Sequence, residues 1–174
     1  MRKKIVSISV IIIACVALSG CHFLWIKYKN KDKKFSILFS RFWTIEENKG
    51  PLDVVCHAPL KGKNDLYREN INVIAAELPN QDAVDTFFQM NKDVTMRVLP
   101  GLKSNVSEGE IFAGSHRGQY FSFETSMEDH KIKIKSAVFF KGLKAYIVTC
   151  SAQTSQYHKY KDVFEKSIKS LRIK

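Results

Sequence analysis

The chain has 174 residues and a formal net charge of +11, with 28 lysines and arginines against 17 acidic residues. That length suits one domain with a proper core plus a short extension. The charge suits anionic lipid, acidic proteins or nucleic acid; with no arginine-rich stretch or RNA-binding motif, and with the export signal described next, nucleic acid is set aside.

Arg2, Lys3 and Lys4 precede an almost unbroken apolar run over residues 5–18, which ends in Leu18-Ser19-Gly20-Cys21. A charged start, a short apolar core and small residues at the cut are the pattern of a secretory signal. Leu-Ser-Gly-Cys matches the lipobox of bacterial lipoproteins at all four positions. That resemblance implies cleavage between Gly20 and Cys21, diacylglycerol on the Cys21 thiol, and a membrane anchor outside the cytoplasm. In a Gram-negative host, His22 in place of an aspartate implies the outer membrane, periplasmic side. The competing reading is an uncleaved membrane-spanning helix. Residues 5–18 are too few for it, since a span takes about 20. Extension through Phe23, Leu24, Trp25 and Ile26 would suffice, and the lysines that follow would then hold the domain in the cytoplasm. The complete lipobox favours the lipoprotein.

Residues 22–34 mix lysines with Phe23, Trp25 and Tyr28 and lack a clean period. They read as a basic, aromatic tether near the bilayer or simply in solvent. The expected organisation is therefore a signal over 1–20, a tether over 21–34 and a folded domain over 35–174. Residues 35–39 form a short strand, and Trp43 anchors the core. Gly50-Pro51 breaks the chain before a strand over 52–57; a loop follows over 59–67, then a strand over 70–78. Asp82 is placed to cap a helix whose Val84, Phe87, Phe88, Asn91, Val94 and Val98 recur at helical spacing. Pro100-Gly101 stops it. Residues 107–113 and 119–125 make a strand pair joined through 114–118. A strand over 132–140, a tight turn at Gly142 and a strand over 145–152 follow. Neither face of that last strand is charged, so it is expected at the centre of a sheet covered on both sides. Thr154 or Ser155 caps a final helix carrying Tyr160, Val163, Phe164, Ile168 and Leu171. The expected fold class is α+β: helices on both faces of a mostly antiparallel sheet.

With Cys15 removed in the signal and Cys21 lipidated, Cys56 and Cys150 remain. They form either one disulfide or two buried thiols acting as small apolar residues. Lys131, Lys133 and Lys135 alternate onto one strand face, opposite Ile132, Ile134 and Val138. They serve either as a solvated edge that deters strand pairing or as an interaction face for an acidic partner or anionic lipid. Asn70, Asn72, Asp82 and Asp85 could offer oxygen atoms to calcium, but they do not fit the twelve-residue calcium loop. A turn and a helix cap account for them, so no cofactor is expected, with calcium the one ion considered. His57 follows Cys56 and points to the other strand face. His116, His130 and His158 are isolated, and no zinc spacing is present. There is no nucleophile elbow or phosphate loop, and only a triad assembled in three dimensions would give catalysis.

One order of segments resembles a known family. Asn70-Ile71-Asn72-Val73 is followed by the Phe87-Phe88 helix, Leu99-Pro100 and Gly118-Gln119-Tyr120-Phe121-Ser122-Phe123. Two C-terminal blocks, residues 134–140 and 144–152, lead to the closing residues 164–173. This order resembles the PsbP C-terminal domain family, with its bacterial lipoprotein relatives, over roughly residues 35–174. The resemblance implies an α-β-α sandwich around a mostly antiparallel sheet. Photosynthetic members are extrinsic photosystem II subunits that help retain calcium and chloride. For this chain the resemblance implies a lipid-anchored, extracytoplasmic, non-catalytic binding or assembly accessory protein. An envelope hydrolase, or a small-lipid carrier on the same sandwich, is the alternative. No functional residue carries over from the family.

Overall fold

A computed structural model describes residues 24–62, 65, 67–127 and 130–174. The signal, Gly20 and Cys21 lie outside the described residues. Among the described residues, ten strands and two helices form three layers. The middle layer is a seven-stranded sheet in the order β3-β4-β5-β9-β8-β7-β6. Its strands are β3 (Thr44–Lys49), β4 (Leu52–His57), β5 (Asn70–Glu77), β6 (Ser104–Ala113), β7 (His116–Met127), β8 (His130–Lys141) and β9 (Lys144–Gln153). Every neighbouring pair is antiparallel. Helix α1 (Gln81–Val98) covers one face. Helix α2 (Tyr157–Lys169), with a three-stranded sheet of β1 (Trp25–Asn30), β2 (Phe35–Ser40) and β10 (Arg172–Ile173), covers the other. The expected α+β sandwich with helices on both faces is the observed one.

The main core lies between the large sheet and the α2 layer. Phe35, Ile37 and Phe39 of β2 meet Cys56, Ile71, Val73, Tyr146, Val148 and Cys150 of the sheet, with Phe164, Ile168 and Leu171 closing from above. The opposite face packs more thinly. Phe87 joins Val138, Ala145 and Ile147, while Phe88, Met96 and Leu99 lean on Phe121, Phe123, Ile132 and Ile134. Strand β9 is central and buried on both faces, as its uncharged alternation requires. Two-residue hairpins join β6 to β7 and β8 to β9; Gly114 and Gly142, at φ +62° and +56°, supply the positive angle each turn needs.

Four expectations are corrected. The tether is partly folded: residues 25–30 are strand β1, paired along its length with β2, so the domain begins at Trp25 rather than residue 35. Strand β3 was not expected; its polar sequence, Thr-Ile-Glu-Glu-Asn-Lys, suits an edge strand with one solvated face. The α1 cap is Asn80, whose side chain accepts from the Ala83 amide at 2.9 Å, not Asp82. For α2, neither Thr154 nor Ser155 occupies the cap; Gln156 does, without a side-chain hydrogen bond.

Candidate interaction face

The strand β8 carries Lys131, Lys133 and Lys135 on one face, as its alternation dictates, with Ile132 and Ile134 buried on the other. Yet β8 lies between β7 and β9, so these lysines protect no sheet edge. The face they share is the one α2 covers. The three consequently differ. Lys131 is exposed and, with His130, Gln153, Thr154 and Ser155, lines an open depression of about 400 Å³. Lys133 lies 3.8 Å from the Glu124 carboxylate and 5.2 Å from the Tyr157 ring centre. Lys135 is mostly buried. It pairs with Glu165 of α2 and sits over the Tyr120 ring at 4.3 Å, while Lys169 reaches the other Glu165 oxygen at 3.4 Å. The solvated three-lysine face is thus a correction: one lysine is free to meet a partner, one is half-engaged, and one holds α2 to the sheet.

Around Lys135 the sheet and α2 leave a cleft of about 370 Å³ lined by Glu110, Tyr120, Lys135, Glu165 and Lys169 among others. Burial alone would raise the Glu165 carboxyl. The hydrogen bond and charge of Lys135, then Lys169, outweigh it and hold the group below the ordinary carboxylate range. Both anions in the cleft are spoken for, since Glu110 pairs with Arg117 at the rim. What remains can hold an ion or a small polar group.

The histidines stand apart. His57 Nε2 lies 3.7 Å from Glu46; burial first, then Arg68, lowers its pKa despite that carboxylate, and its Nδ1 is buried without a partner. His130 Nδ1 lies 3.4 Å from Gln153 Nε2. His158 is exposed on α2 and His116 half-buried at the start of β7. Among the described residues, no side-chain hydrogen bond joins a histidine to a serine, threonine or cysteine, and no three His, Cys, Asp or Glu side chains gather as a metal group. Asn70 donates to the Arg68 carbonyl, and Asp82 sits in the first turn of α1.

Cys56 and Cys150 are free, buried thiols, which corrects the disulfide alternative. The register explains why. Cys56 pairs with Ile71, and Ile71 pairs with Cys150, so a whole strand separates them. Two strand spacings amount to roughly 9.5 Å, beyond the 7 Å that a disulfide bridges. Burial pushes the Cys56 thiol up to about 12, and Cys150 is raised too. A maleimide at neutral pH should therefore label neither thiol in the folded protein and both after denaturation without reductant, read by peptide mass. Denatured protein that stays unlabelled at these two positions would mean they are bridged.

The sequence did not reveal Glu165 and Tyr120 as partners of Lys135. Glu165 lies thirty residues later and arrives with the packing of α2; Tyr120 lies fifteen earlier and is placed by the register of β7 on β8.

A family model described as PsbP matches residues 25–173. The chain belongs to the PsbP family. No curated protein sequence matches it. Among solved structures, a cyanobacterial PsbP from Synechocystis aligns with a TM-score of 0.63 at 16% identity, covering 86% of this chain and 92% of that one. LpqN of Mycobacterium tuberculosis, described as involved in cell envelope biogenesis, aligns with a TM-score of 0.65 at 10% identity, covering 86% and 90%. At these identities the two share a fold with this chain.

Proposed function

We propose that this protein is a lipid-anchored, extracytoplasmic, non-catalytic accessory protein of the PsbP family that binds or helps assemble a partner. The observation that carries the reading is the place where the family domain starts. The match begins at residue 25, four residues after the cysteine of a complete Leu18-Ser19-Gly20-Cys21 lipobox. On this reading residues 1–20 are the leader and 21–24 the link. No helix among the described residues is long and apolar enough to cross a membrane. The envelope role stated for LpqN is compatible with a non-photosynthetic task on the same fold. Anionic lipid or an acidic protein suits the basic chain as partner.

Cells expressing the full chain should incorporate a labelled fatty acid into it, and Cys21→Ala should abolish the label and leave an uncleaved precursor. Label that persists in Cys21→Ala would place the anchor elsewhere. In a Gram-negative host, fractionation should put the wild type in the outer membrane.

A further inference from the structure

The folded domain starts so soon after Cys21 that the anchor must fix which surface meets the bilayer. Strand β1 begins at Trp25, and the Arg41 amide already donates to the Leu24 carbonyl at 2.9 Å. Leu24 is the third residue after Cys21, and an extended chain spans at most about 3.6 Å per residue. Acyl chains on Cys21 would thus enter the membrane within about 11 Å of Leu24.

What lies at that point is apolar and exposed. Leu24 and Ile26 are each 46% exposed, and Phe42, in the turn after β2, is 65% exposed. All three sit at one end of the small sheet, because Trp25 pairs with Ser40 and Ile26 with Phe39. Strand β1 is also an edge of that sheet. Its alternate residues, Trp25, Lys27 and Lys29, point to the other face. Lys27 and Lys29 are exposed, and among the described residues neither has an acidic partner within 4 Å. Together with Asn30, Lys31, Lys34 and Ser36 they line a cleft of about 400 Å³ further along β1, toward its hairpin with β2. Lys166 of α2 lies 5.7 Å from the Trp25 ring. Apolar side chains flanked by a tryptophan and unpaired lysines suit the boundary between acyl chains and anionic headgroups.

We infer that the β1 edge is a membrane-docking surface: Leu24, Ile26 and Phe42 seat at the acyl boundary of the bilayer that holds Cys21, and Lys27 and Lys29 lie on phosphate headgroups. This rests on the lipid-anchor reading. Its consequence is orientation. The domain is held edge-on, with Lys131 and the depression beside it on a separate part of the molecule from the docking edge.

The test uses the full lipoprotein in phosphatidylglycerol vesicles whose headgroups carry a nitroxide quencher. Trp43→Phe leaves Trp25 as the single tryptophan, and an intact mass establishes whether Cys21 is acylated. Trp25 fluorescence should be strongly quenched. Most of that quenching should be lost in Leu24→Ser/Ile26→Ser/Phe42→Ser, and part of it in Lys27→Gln/Lys29→Gln or in 1 M salt, where the Debye length is about 3 Å. A circular dichroism spectrum shows each variant folded. Acylated protein whose Trp25 is not quenched overturns the docking surface and leaves the anchor standing. Quenching unchanged by both sets of substitutions overturns it equally. Protein without lipid on Cys21 removes the tether argument, and the inference falls with the anchor. Crosslinks between copies at position 42, in place of quenching, would give the surface to a second copy of the chain.

Discussion

Phe164→Ala should cost about 3–5 kcal/mol, the largest loss expected of any single side-chain truncation in α2. Phe164 is fully buried where the helix meets the sheet. Its ring meets Trp43 edge-on at 6.2 Å, Tyr157 at 5.5 Å and Tyr160 at 6.1 Å. Truncation would open a cavity among three rings that neighbouring chain already fixes. Trp43 follows β2, and Tyr157 and Tyr160 sit on the helix itself, so the gap cannot collapse cheaply. Against a total stability of roughly 5–15 kcal/mol, the variant would keep a small margin. A thermal melt should show a midpoint lower by about 6–20 °C. Phe112→Ala is the control: that ring is 55% exposed on the edge strand β6, and its loss should stay within about 0.5 kcal/mol. Equal shifts in the two variants would mean that α2 is not seated as described.

The same ring shows what the sequence could disclose. The spacing of Tyr160, Val163, Phe164 and Ile168 marks a helix with one buried face, and the uncharged alternation of β9 marks a strand covered on both sides. Both are local patterns set by burial, so both were legible. The β1 edge was not. Trp25 shares its face with Lys27 and Lys29, and Ile26 and Tyr28 share theirs with Asn30, so neither face is purely apolar, and without its partner strand the segment reads as a tether. The cysteines stayed open between two states for another reason. Each sits in a plausible strand, but only the register, with β5 between them, decides whether they meet. The lysines of β8 combine the two cases. Alternation correctly puts them on one face, while the burial of that face depends on where a helix twenty residues further on comes to rest.

That difference makes Lys135 the member of the set whose loss the fold should feel. Lys131→Gln, at an exposed position, should change stability by less than about 0.5 kcal/mol. Lys133→Gln should cost about 0–1 kcal/mol, as for a half-solvated pair. Lys135→Met keeps the length of the stem but leaves Glu165 partly buried with only Lys169 nearby. Stranding one partner of a fully buried pair costs about 3–5 kcal/mol. Here Glu165 retains Lys169 and some water, so about 1–3 kcal/mol is expected. The dependence on pH identifies the cause. In the folded protein Lys135 and Lys169 hold the Glu165 carboxyl below its ordinary value, against the pull of burial. A carboxyl depressed on folding stabilises the fold above its unfolded pKa, and that contribution fades as pH falls through the folded pKa. Urea unfolding should therefore show the full deficit of Lys135→Met at pH 7. The deficit should shrink steadily once the pH drops below the ordinary carboxylate range. A deficit that stays constant from neutral to acid pH would instead assign the loss to the packing of the lysine stem on Tyr120. A test of this face as an interaction surface should therefore substitute Lys131 alone, since a variant that also lacks Lys135 would mix lost stability into any change in binding.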